Sequence, residues 1–199
     1  MPSAAIIYVN KDLIEELKSN SKYKPFRAEL KEGYYYGSKF LPDAKPFKTG
    51  ISEKLLDATD IENIFAFDVL VRNMDRNIQK PNLIIIRKNT PILIDHDIAL
   101  DIHKTFREYK ALGLWDVFKG RKRHIMQNYL SRTNQQQLWA FDGFLEYLRH
   151  LNTNKLYNAR ELLQNTGHSV VDFDPIVEYL NEVKRDIPSF KELLISLIR

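Results

Sequence analysis

The stretch from Phe67 to Leu100, FDVLVRNMDRNIQKPNLIIIRKNTPILIDHDIAL, constrains this chain more than any other. An apolar, helix-like run ends at about Arg72 and gives way to a polar loop, NMDRNIQKPN. Two short apolar runs follow, Leu83 to Arg87 and Ile92 to Ile94, joined through Lys88-Asn89-Thr90-Pro91. The pattern predicts a helix, a loop and a hairpin in succession. Asp75 falls in the loop, and Asp95 ends the second strand about twenty residues later.

The flanking segments differ in character. Residues 1–50 are rich in strands and loops. Ala5 to Val9 reads as a strand, Asp12 to Lys18 as a short amphipathic helix with Leu13, Ile14 and Leu17 on one side, and Ser19 to Arg27 as a polar, Lys-rich loop. Gly33 to Leu41 reads as a second strand punctuated by glycines, and Pro42 to Gly50 as a connector. Over residues 51–199 helices dominate. Thr59-Asp60-Ile61-Glu62 has the form of a capping box and opens the helix that leads to the polar loop. Further helices are predicted over Phe106 to Phe118, Arg123 to Leu130, from a Thr133-x-x-Gln136 cap through Phe141, Leu145 and Leu148, and over Asn154 to Gln164 ahead of Gly167. Asp174-Pro175 reads as a cap followed by proline at the first helical position, and Ser189-x-x-Glu192 as the cap of the final helix. The fold class is α+β, with a small N-terminal sheet and a mostly helical remainder.

Composition narrows the function classes. With 44% hydrophobic and 28% charged residues, the 199-residue chain suits a soluble globular protein with a real core. Cysteine is absent, which excludes disulfides and thiolate chemistry and fits a reducing, cytoplasmic setting. The N-terminal apolar run is too short for a signal peptide, and no run is long enough to span a bilayer. A net charge of +4 permits anionic ligands such as nucleotides without announcing nucleic acid. The basic cluster Lys119 to His124 reads as a solvated helix start, and no aromatic residues interleave with it as in a single-strand binder. His96 and His103 lack the further ligands a zinc site needs.

Two carboxylates delivered by a loop and a strand end suit phosphoryl transfer. One orients the attacking hydroxyl, and the other holds the metal that screens the phosphates. On this reading Asp75 takes the first role and Asp95 the second, since magnesium is satisfied by one or two carboxylates plus phosphate oxygens. Arg76 steadies the loop or neutralises phosphate charge, and His96 orients the Asp95 carboxylate. The alternative for each residue is local: Asp and Asn are favoured in turns for their own hydrogen bonding, with Asn77 a turn cap and Asp95 a strand terminus.

Asn73-Met74-Asp75-Arg76, Pro81-Asn82-Leu83-Ile84 and Leu93-Ile94-Asp95-His96-Asp97-Ile98-Ala99-Leu100 resemble the HipA-like kinases. They look like a smaller bacterial branch whose motifs run roughly N-x-D-R-x-x-x-N-x-N-L-L and L-I-D-H-G-x-A-L. The well-matched part is about a fifth of the chain. The resemblance implies a protein-kinase-like C-terminal lobe with a catalytic hairpin, ATP with magnesium, and phosphorylation of a protein Ser or Thr. It extends more weakly upstream, through Tyr36-Gly37-Ser38 and Phe67-Asp68.

Two departures accompany it. Where the family pattern has a metal-binding Asn, this chain has Lys80, whose positive charge opposes a cation but could serve as a phosphate counter-charge. Asn82 remains as an alternative ligand if the loop is rearranged. Second, only about sixty residues precede the helix leading into the loop, and no GxGxxG or Walker-type loop occurs. Lys39 is the nearest candidate for a phosphate-contacting lysine. The chain thus looks like a C-terminal lobe (51–199) behind a shortened N-terminal remnant (1–50). Two functions stay open: a kinase acting on a protein substrate, or a catalytically inactive pseudokinase that binds a partner protein, including one that completes the N-terminal lobe.

Overall fold

A strand pair opens the computed structural model, which describes residues 4–20, 30–50, 52–119, 124–133, 139–167 and 172–199. Strand β1, Ala4–Val9, pairs antiparallel with β2, Gly33–Ser38, in a register that sets Tyr8 opposite Tyr34 and Ile6 opposite Tyr36. Between them lies α1, Lys11–Ser19, whose N-cap Asn10 accepts a hydrogen bond from the Leu13 N–H. Val9 and Ile14 are buried here, but neither belongs to the main core.

The connector expected over residues 42–50 does structural work. Lys45–Pro46 forms a two-residue strand, β3, on β4, Leu83–Ile86, and the buried Phe47 donates its N–H to Leu83 O at 3.0 Å. Strand β5, Thr90–Leu93, completes an antiparallel sheet in the order β3-β4-β5. Pro91 is tolerated because β5 is an edge strand, where a missing N–H breaks no ladder on its outer side.

Helix α2, Ala58–Leu70, is apolar on almost every side and runs through the centre, with Ile61, Phe65, Ala66 and Val69 fully buried. Short α3, Phe106–Ala111, and α4, Gln127–Thr133, are followed by α5, Asp142–His150, and α6, Lys155–Asn165. Helices α7, Asp174–Arg185, and α8, Ile187–Ile198, close the core with Tyr179, Val183, Phe190 and Leu194. Phe106, Tyr109, Trp115, Phe118, Tyr179 and Phe190 form a connected aromatic cluster between α3, α7 and α8. Burial pushes the Tyr179 hydroxyl pKa well up, so it stays protonated and donates to Leu70 O. No helix among the described residues is long and apolar enough to cross a membrane.

Several boundaries differ from expectation for definable reasons. The α2 cap is Asp57, which accepts from the Asp60 N–H at 2.7 Å, and Glu62 instead accepts from the Phe141 N–H. Likewise α8 is capped by Asp186, not Ser189, and α7 begins at Asp174 instead of being capped by it. The helix expected over Phe106 to Phe118 stops at Ala111, because Gly113 takes a left-handed turn (φ 63°) before a 3-10 turn over Asp116–Lys119. The fully formed capping box lies at Thr105 and Glu108. Most of the loop Ser19 to Arg27, most of the basic cluster and the Thr133-x-x-Gln136 cap lie outside the described residues.

Candidate functional site

The end of α2 sets the position of everything that follows. Its last turn closes as a Schellman motif. The Arg72 N–H bonds Val69 O, the Asn73 N–H bonds Asp68 O, and Arg72 occupies the left-handed position at φ 57°. A non-glycine residue is disfavoured there. Arg72 offsets that cost by stacking its guanidinium 3.8 Å from the Tyr109 ring centre. The chain then enters the polar loop.

A buried charge network holds that loop. Asp68, on α2 and fully buried, accepts from Asn73 Nδ2 at 2.8 Å, Arg76 Nε at 2.5 Å and His124 Nε2 at 2.9 Å. Burial alone would raise the Asp68 carboxyl pKa. The hydrogen bond from His124 and the positive Arg76 outweigh that and hold it below its ordinary value. His124 Nδ1 accepts from the Met126 N–H, so Nε2 carries the ring proton that reaches Asp68. Arg76 also donates to the carbonyls of Pro81 and Asn82 and, through its second terminal nitrogen, to His96 Nε2 at 3.1 Å. One arginine thereby ties together α2, the loop, the start of β4 and the segment after β5.

Arg76 and His96 both belong to this network. The Arg76 side chain has no solvent exposure, and its donors are spent inside the protein. Its contacts are those of a group that holds the loop against α2 and the start of β4. His96, expected to orient Asp95, accepts from Arg76 at Nε2 and packs edge-on against Phe67. Burial, and then the Arg76 charge, lower its pKa, keeping the ring neutral as an acceptor.

The expected carboxylates converge. Ligand oxygens of Asp75, Asp95 and Asp97 all lie within 4.8 Å of one another. Asp75 is half-buried and its N–H points to Asn73 Oδ1 at 3.4 Å. Asp95 reaches the cluster from a left-handed backbone conformation (φ 56°), one that Asp and Asn tolerate better than most residues. Asn82 shares that conformation (φ 45°). Its carbonyl accepts from Arg76 and from the Ile94 N–H, and its Nδ2 lies 3.5 Å from Asp75 Oδ2. Lys80 forms an ion pair with Asp75 Oδ2 at 3.2 Å. Beside the carboxylates, Tyr36, Ser38, Leu93, Ile94, Asp95, His96 and Asp97 line a cavity of about 500 Å³. Strand β2 thus supplies one wall. Lys39 is exposed and is not among the lining residues.

Three site residues escaped the sequence reading. Asp97 stands where the family pattern carries Gly, and that substitution was the available signal. Asp68 was visible only in the weak Phe67-Asp68 resemblance, as a charge among apolar residues late in α2, and His124 as the last residue of the basic cluster. Asn77 proves to be a turn former: its Oδ1 accepts from the N–H groups of Gln79 and Lys80.

A family model described as HipA-like kinase matches residues 1–186. The chain belongs to the HipA-like kinase family. The match takes in β1, α1 and β2 as well as the helical part, so it reaches far beyond the motifs that first carried the resemblance. No curated protein and no solved structure matches the chain. Its α+β architecture of small antiparallel sheets and many helices is consistent with a HipA-like kinase fold.

Proposed function

We propose that this HipA-like kinase transfers the terminal phosphoryl group of ATP to a Ser or Thr hydroxyl of a protein. The observation that carries the reading is the convergence of Asp75, Asp95 and Asp97 beside the cavity walled by β2 and β5. That cavity lies within the ~300–1,000 Å³ range of small-ligand sites. Its apolar walls at Leu93, Ile94 and Tyr36 suit a base, and its acidic end suits a cation–phosphate group.

The donor set fits magnesium, a hard cation that takes carboxylate oxygens and leaves room for phosphate oxygens. Asp95 and Asp97 would hold it, with Asn82 nearby. When bound, the ion neutralises charge on the phosphate oxygens. Asp75 accepts the hydrogen bond of the incoming hydroxyl and so aligns its oxygen with the terminal phosphorus. A bond forms between that oxygen and phosphorus, the bond to the bridging oxygen of ADP breaks, and the hydroxyl proton passes to Asp75. Because the work is mostly positioning and electrostatics, the rigid Asp68–Arg76 network beneath the loop contributes to rate without touching substrate.

A thermal shift with ATP and magnesium, coupled to radiolabel transfer onto protein, tests the reading. A ligand that binds only the folded state raises the midpoint. Asp75→Asn should abolish transfer by roughly two orders of magnitude or more while sparing the shift, and Asp95→Asn should lose both. No shift at millimolar ATP together with no transfer overturns the proposal.

A further inference from the structure

Lys80 does something that the proposed reaction does not by itself require. Its Nζ sits 3.2 Å from Asp75 Oδ2, on one of the three carboxylates that converge within 4.8 Å. Its backbone is anchored for that purpose: the Lys80 N–H donates to Asn77 Oδ1 at 3.1 Å, and its carbonyl accepts from the Asn77 N–H at 3.0 Å. The side chain beyond is 65% exposed, so the ammonium meets Asp75 from the solvent side. A hydrogen-bonded root and a solvent-side ammonium describe a tethered counter-ion.

The charges at the site limit what else can enter. Three carboxylates and one ammonium leave a double negative charge, which a single divalent cation balances. A second divalent cation would have to lie against the ammonium, where Coulomb repulsion between close like charges is strong. The Asp75 oxygen that a second ion would use is already faced by Lys80 Nζ and Asn82 Nδ2, both hydrogen-bond donors.

We propose that Lys80 holds the place of a second cation, so that the site takes one divalent ion on Asp95 and Asp97. Lys80 supplies the other positive charge, parked on Asp75 until phosphate oxygens draw it across. The inference rests on the phosphoryl-transfer reading and assigns this chain's own charge balance within it.

The test is a calorimetric titration of the full chain with manganese chloride, alone and with a non-hydrolysable imido analogue of ATP. The wild type should bind one manganese ion per chain in either case. Lys80→Met should tighten manganese binding about tenfold, and Lys80→Asn should bind a second ion when the analogue is present. Asp97→Asn should weaken the single site at least tenfold. Lys80 is exposed, so circular dichroism and the melting midpoint should be unchanged in its variants. Two manganese ions on the wild type with the analogue, or unchanged stoichiometry and affinity in both Lys80 variants, would overturn the Lys80 assignment while leaving the phosphoryl-transfer reading in place. If the wild type binds neither the analogue nor manganese, both fall together.

Discussion

Asp68 carries more of the site than either residue that would meet substrate. Its two oxygens accept from Asn73, Arg76 and His124, and none of these atoms is exposed enough for water to take over. Removing one partner of a buried pair leaves the other charge desolvated, which costs about 3–5 kcal/mol. Asp68→Asn keeps the shape and removes the charge. It should lower stability by about 3 kcal/mol, or roughly 6–12 °C in melting midpoint for a chain of this length. The pH dependence has a definite sign. The folded carboxyl pKa is depressed below 3.8, so its stabilisation is complete above that value and is lost as pH falls through the lower folded value. Acid unfolding followed by circular dichroism should show the wild type losing this component below about pH 4, and Asp68→Asn lacking it. An equally steep acid limb in the variant would assign the acid sensitivity to other carboxylates.

At the scale of elements, the caps separate what was legible from what was not. The Thr59-x-x-Glu62 pattern marks a real helix start but names the wrong residue, because Asp57 two positions earlier is an equally good acceptor and gets there first. The same substitution of an upstream Asp occurs at α8, where Asp186 displaces Ser189. Asp57→Ala should therefore destabilise the protein by about 1 kcal/mol in urea unfolding, whereas Thr59→Ala, at an exposed position, should stay within about 0.5 kcal/mol. The reverse ranking would restore the capping-box assignment. Periodicity marked helices such as α7, where core burial of Ile176, Val177, Tyr179, Leu180 and Val183 imposes it, whereas α6 buries no residue. The hairpin was legible because two apolar runs flank a turn. What local pattern could not reveal was long-range pairing: the two-residue β3 on β4, and His124 reaching across 56 positions to Asp68. Such partners are chosen by the fold, and nothing near them in the chain advertises the choice.

For the whole molecule, the core and the candidate cavity are built from unequal parts. The main apolar cluster runs from Phe47 to Ile198 and includes no residue of β1, α1 or β2. A two-stranded sheet is marginal by itself, and here Tyr8, Tyr34 and Tyr36 stay exposed. Yet Tyr36 and Ser38 of that sheet wall the cavity beside Asp95 and Asp97. The β2 wall of the cavity is thus its least firmly held side, and weakly held elements are the ones that open locally. Native-state hydrogen exchange can measure the difference. Amides of β1 and β2 should open at distinctly lower free energy than those of α2 and α8, which should exchange only through global unfolding. ATP with magnesium, binding across the cavity, should raise protection in β2 more than in α8, because the ligand stabilises the state in which that wall is in place. Equal protection in β2 and α2 without ligand would mean that the molecule opens as one cooperative unit. The cavity would then have to be treated as preformed.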